Sequence, residues 1–166
     1  MASEGDQLWR GKCLSALGIV AYERFKEART ANQSEEILLQ HVEEAIKYYR
    51  DALELLPDNA VNDLAVVHNQ LGNIYLNVGD LEQALYHYRE AIRSFETTGN
   101  IYHAGITRRS VAVALKYANR LPDALEYARA ALRNFQSFPQ GAEGGKLHVG
   151  MTKVEGTSSR LLTNLL

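Results

Sequence analysis

The stretch Leu81-Glu-Gln-Ala84-Leu-Tyr-His-Tyr88-Arg-Glu-Ala91-Ile92 decides the fold, because it occurs three times. It aligns without a gap on Leu121-Pro-Asp-Ala124-Leu-Glu-Tyr-Ala128-Arg-Ala-Ala131-Leu132, 40 residues later. A third copy, Val42-Glu-Glu-Ala45-Ile-Lys-Tyr-Tyr49-Arg-Asp-Ala52-Leu53, lies 39 residues earlier. Each copy sets two alanines seven apart with Tyr or Ala midway. On a helix, positions i, i+4 and i+7 share one face. Small residues there admit a neighbouring helix at close range, and the larger ring fills the space beside them.

A partner helix precedes each copy. The clearest is His68-Asn-Gln-Leu71-Gly72-Asn-Ile-Tyr75-Leu-Asn-Val-Gly79-Asp80. Gly72 in mid-helix costs about 1 kcal/mol of propensity relative to Ala, and a close helix crossing compensates. Gly79 suits a left-handed cap and Asp80 an N-cap. These residues resemble the tetratricopeptide repeat family, whose pattern runs Trp-x-x-Leu-Gly-x-x-Tyr, then Ala, an aromatic, Ala and Pro. The middle unit supplies Leu71, Gly72, Tyr75, Gly79, Ala84, Tyr88 and Ala91. The first supplies Leu14, Leu17, Gly18, Ala45, Tyr49, Ala52 and Pro57. The third departs furthest, with Val111-Ala112 in place of Leu-Gly and Asn119 in place of the turn glycine. Asn tolerates the left-handed conformation, so that turn survives. The resemblance covers roughly residues 8–137, and the 40-residue spacing is similar to that of a long-repeat subclass.

The resulting expectation is an all-α fold: a right-handed superhelix of three stacked antiparallel hairpins, followed by a C-terminal tail with a short helix. Residues 1–138 read as the three-repeat domain, with units at about 8–57, 60–98 and 101–138. The first helix is expected from Gln7 to Arg29, capped by Ser3 or Asp6. Asn32 with Glu35 reads as a capping box for the second, which ends at Pro57. Asp58 or Asn59 opens the third, which stops at Gly79. The fourth runs from Leu81 to about Thr98, and Gly99-Asn100 breaks it. The fifth spans Ile101 to Ala118, and the sixth runs from near Pro122 to near Phe138. The first hairpin carries about fifteen extra residues, read as longer helices. Residues 139–166 read as a linker and a short amphipathic segment, with Leu161, Leu162, Leu165 and Leu166 after a serine cap. Such a segment is too short to be stable alone.

Bulk properties narrow the function. The 166 residues suit one domain, and 46% are hydrophobic, enough for a continuous core. A net charge of −2 gives no basic footprint for nucleic acid or a membrane surface. No apolar run approaches the ~20 residues of a membrane span. The first residues lack the basic and apolar blocks of a signal peptide, so the cytoplasm is the expected compartment. A single cysteine, Cys13, excludes an intrachain disulfide and a thiolate-cluster zinc site; it reads as a small packed residue.

Enzyme signals are weak. His87 and Glu90 share a helical face, but a metal site needs further carboxylates from facing helices, so both read as surface polar residues. Gly144-Gly145-Lys146 lacks the spacing and the Ser or Thr of a phosphate loop. The chain calls for no cofactor and no metal. Tyr48, Tyr49, Tyr86, Tyr88 and Phe95 read as packing. The resemblance instead implies protein interaction through the first helix of each hairpin. Phase set by Leu71-Gly72 gives a peptide-binding face of Lys12, Ser15, Ile19 and Tyr22 in the first unit. The second gives Asn69, Asn73 and Leu76, with Asn77 at the edge. The third gives Ile106, Arg109, Val113 and Lys116. Asparagines both donate to and accept from a peptide backbone, and the cations favour a carboxylate. The expected partner is another protein or peptide, with the chain as adaptor or scaffold. A second reading has the chain associate with itself through residues 139–166, or fill its own groove with them.

Overall fold

The computed structural model describes residues 3–137, which fold as six helices joined by short turns. They form α1 (Glu4–Thr30), α2 (Glu35–Leu55), α3 (Val61–Asn77), α4 (Leu81–Thr97), α5 (Ile101–Tyr117) and α6 (Leu121–Ser137). No strand occurs among the described residues. The linker and the tail expected beyond residue 138 lie outside them. None of the described helices is long and apolar enough to cross a membrane.

One backbone device ends four of the helices. Asn32, Gly79, Gly99 and Asn119 all have positive φ. After each, the next amide turns back on the helix: Gln33 donates to the Ala28 carbonyl, Asp80 to Tyr75, Asn100 to Phe95 and Arg120 to Leu115. This reach of five residues is the Schellman arrangement, which satisfies carbonyls that the helix leaves open. The next helix begins at once. Asp80 Oδ1 accepts from the Gln83 amide at 3.1 Å, and Asn100 caps α5 by accepting from His103. At the other end of the chain, Ser3 and Asp6 form a reciprocal capping box that starts α1 a turn earlier than its periodicity suggests.

Two caps differ from expectation. Asn32 is spent on the left-handed end of α1, so it makes no capping box with Glu35; Ser34 takes the N-cap position without a side-chain bond. Asp58 and Asn59 lie in the turn after Pro57, and α3 starts at Val61 from Ala60, again without a side-chain cap. In both places the turn geometry takes the polar residue first.

The chain divides into two compact units, Met1–His87 and Tyr88–Leu166, and the division falls inside α4. In the first unit, α1 and α2 form an antiparallel hairpin: Gly11 meets Leu56 and Gly18 meets Tyr49. Tyr49 is fully buried between the equally buried Ala45 and Ala52. The small–large–small pattern on α2 thus receives a glycine-lined strip of α1. In the second unit, α5 and α6 repeat the design, with Gly105 against Asn134 and Phe135. Ala124, Ala128 and Ala131 form the buried strip of α6. Asn134 Nδ2 donates to the Ile101 carbonyl, and its Oδ1 accepts from Arg108, which also grips Glu96 at 2.6 Å. The extra residues of the first hairpin are helical, as expected: α1 has 27 residues and α2 has 21, against 17 in each of α3 to α6.

Candidate interaction surface

In the first unit the candidate residues come from α1 and α3, which touch along one side. Lys12 Nζ lies 3.3 Å from Asp63 and 5.5 Å over the Trp9 ring. Ser15 is half-buried, and Ile19 is 40% exposed. Tyr22 is different. It is only 6% exposed, and its hydroxyl donates to the Asn73 carbonyl (3.3 Å) and accepts from Asn77 Nδ2 (2.6 Å). Asn77 Oδ1 in turn accepts from Arg29 at 2.6 Å. Burial raises the Tyr22 phenol above its ordinary value, opposed by Arg29 and the Asn77 bond. Tyr22 therefore ties α1 to α3, and its ring stacks on Phe25 under Lys26.

On α3, Asn69, Asn73 and Leu76 are half-buried, while Asn77 is exposed. Asn73 Nδ2 donates to Gln70 Oε1 at 3.2 Å. The face therefore joins apolar side chains (Ile19, Leu76) to amides already oriented by neighbours. In the second unit, Ile106, Arg109, Val113 and Lys116 lie half-buried along one side of α5. The adjacent arginines have different fates. Arg108 is held by Glu96 and Asn134, whereas Arg109 forms no ion pair among the described residues.

Three features escape a reading of the sequence. His87 is buried, at 8% exposure, and is not the surface polar residue expected. Its Nδ1 lies 2.9 Å from His68 Nδ1. Its ring stacks on Tyr75, whose hydroxyl accepts from Arg50 at 2.8 Å. Burial, then His68, then Arg50 lower the His87 pKa to about 4. Cys13 is exposed and not packed. Leu17, placed at the motif leucine, is 46% exposed, whereas its counterpart Leu71 is fully buried. Leu71 has the α1–α2 hairpin before it in the chain, and no described helix precedes α1. Of the aromatics, Tyr49, Tyr88 and Phe95 are buried, Tyr48 is half-buried, and Tyr86 is exposed. No group of three or more His, Cys, Asp or Glu that would hold a metal occurs among the described residues.

Comparison with known proteins gives two matches to family models. One tetratricopeptide repeat model matches residues 63–137, and another matches residues 36–59. No curated protein matches the chain.

Proposed function

Since this chain belongs to the tetratricopeptide repeat family, whose repeats generally serve protein–protein interaction, we propose that it is an adaptor or scaffold that holds a peptide of a partner protein on the first helices of its hairpins. One observation carries this reading: the Tyr22–Asn77–Arg29 chain of hydrogen bonds locks α1 and α3 side by side. A locked pair of helices is a preformed platform, so a peptide binds without the cost of ordering it. Ile19 and Leu76 offer apolar anchorage, and the Asn69 and Asn73 amides suit a peptide backbone. Lys12 lies at one end, already shared with Asp63. On α5, Arg109 and Lys116 give their face a preference for acidic peptide side chains.

The test selects binding peptides from a displayed library with the whole chain as bait, then measures the affinity of the best for variants. Leu76→Asp and Asn73→Ala test the first face, and Arg109→Glu tests the second, each alone. Loss of at least tenfold in affinity with an unchanged melting temperature supports the reading for that face. Equal affinity of all three variants and the parent overturns it.

A further inference from the structure

α1 is apolar on two sides. One side is the buried strip of Gly11, Gly18, Ala21, Tyr22 and Phe25. Away from it stand Trp9, Cys13, Ala16, Leu17 and Val20, all exposed. Trp9 is 67% exposed. The exposed stripe of α2 on the side of Tyr75 is charged by contrast: Glu43, Lys47, Arg50 and Glu54. Positions 9, 13, 16 and 20 are spaced four, three and four, the seam of a pair of packed helices. An aromatic of this size carries up to about 250 Å², and exposed apolar patches of roughly 300–600 Å² are often functional. A patch of that size is about half of the ~800 Å² per partner of a standard interface, which suits an apolar centre completed by a charged rim.

We infer that this face binds a second copy of the chain, with the two α1 helices antiparallel about a two-fold axis. The seam is complementary to itself in that direction. When residues whose numbers sum to about 29 face each other, Trp9 meets Val20 of the other copy, and Cys13 meets Ala16. Each large residue then has a smaller one opposite. A parallel pairing sets Trp9 on Trp9 and Arg24 on Arg24. The charges agree with the antiparallel direction. Arg24, one turn past Val20, forms no ion pair among the described residues. In this register it lies over the first turn of the other copy, where Glu4 and Asp6 sit at the positive end of the helix dipole. Glu23, which then approaches Asp6, is already held by Lys26 at 2.6 Å. The seam meets the Lys12–Ser15–Ile19–Tyr22 side at one end, where Lys12 lies over the Trp9 ring, so pairing leaves Ser15, Ile19 and Tyr22 on the proposed peptide face.

Trp9 is the only tryptophan, so its emission reports this face directly. The experiment follows the full chain by sedimentation and by fluorescence from low micromolar to submillimolar protein. The expected result is a monomer–dimer equilibrium with a blue shift of Trp9 emission over the same concentrations. Val20→Glu removes both while leaving helicity unchanged, and Leu39→Glu, on an exposed leucine of α2, removes neither. Register is tested by mixing the parent with a Cys13→Ser, Ala16→Cys double variant and oxidising. Disulfide-linked dimers form only between the two different chains. A single mass at every concentration overturns the inference, as does a dimer that survives Val20→Glu or links parent to parent through Cys13. A concentration-independent blue emission that is lost when residues 139–166 are deleted assigns the face to the chain's own tail, and overturns it as well.

Discussion

Tyr49 lies across Gly18 so closely that a methyl group at position 18 would stand 2.9 Å from its ring. Two effects of Gly18→Ala oppose each other. Helix propensity favours Ala by about 1 kcal/mol. Overpacking a filled site costs about 1–3 kcal/mol, and the Tyr49 ring is fully buried. Overpacking should win, with a net loss of about 1–2 kcal/mol in urea unfolding. Gly5 is the control: its nearest neighbour to a new methyl is Ser3 Oγ at 3.8 Å. Gly5→Ala should be neutral or stabilising, and equal losses for the two variants would refute the close-crossing argument.

The same ring carries an unmet cost. The Tyr49 hydroxyl is buried without a hydrogen-bond partner, and burial pushes its pKa well above the ordinary phenol value. Removing a buried group that makes no bond should be neutral or stabilising by up to about 1 kcal/mol. Tyr22→Phe removes two bonds between α1 and α3 and should cost about 1–2 kcal/mol. Denaturation of Tyr49→Phe and Tyr22→Phe side by side checks the sign of each.

Asn119 holds φ at +58° in a turn of the kind that Gly79 and Gly99 make with glycine and Asn32 makes with asparagine. Ala at that position meets the steric cost of the left-handed region, about 1–2 kcal/mol. Gly meets none of it. Thermal melts should therefore rank Asn119→Gly at or above the parent and Asn119→Ala several degrees below. The reverse order would mean that the Asn side chain, and not its backbone, secures the turn.

His87 predicts a pH dependence. Its folded pKa is lowered to about 4, below the ordinary 6.5 of the unfolded chain. Between those values the unfolded chain binds a proton that the folded chain refuses, so stability rises with pH across this window. His87 should therefore weaken the fold as pH falls from 6.5 towards 4, and should add no slope above about pH 7. The comparison is urea unfolding of the parent and His87→Gln at several pH values. The variant should lose about 1–2 kcal/mol of the parent's acid sensitivity. Parallel curves would sink this assignment.

Much of the fold was legible because the repeat constrains it at several levels. Ala84, Tyr88 and Ala91 sit on one helical face by spacing alone, and all three are fully buried. Gly79 and Asp80 ended one helix and opened the next as their chemistry requires. Periodicity, however, says which residues share a face and not what stands opposite. Leu17 and Leu71 hold the same motif position, yet Leu17 is 46% exposed and Leu71, which follows the α1–α2 hairpin, is fully buried. His87 escaped for the same reason: its partner His68 comes from α3, and the charge of Arg50 that also lowers its pKa comes from α2. Asn32 could serve equally as the end of α1 or the start of α2, and only the backbone decided between them. On the candidate face, the helical side of Asn73 and Ile19 followed from phase, but the use of Tyr22 as a tie depended on where Asn77 lands.

The length of the first hairpin has a consequence for local stability. α1 runs twelve residues past Gly18, while α3 runs five past Gly72. α2 begins ten residues before Ala45, while α4 begins three before Ala84. Both arms thus extend by seven residues, two turns or about 10 Å. Phe25, Ala28 and Val42 are buried in this end of the hairpin, whereas Ile37 and Leu39 face solvent. Opening the last two turns of each arm breaks the contacts that the arms make with each other and one tie to α3, the Arg29–Asn77 hydrogen bond. Their amide protons should therefore exchange through a sub-global opening, with protection that grades downward toward Asn32 while the amides around Tyr49 exchange only with unfolding of the hairpin itself.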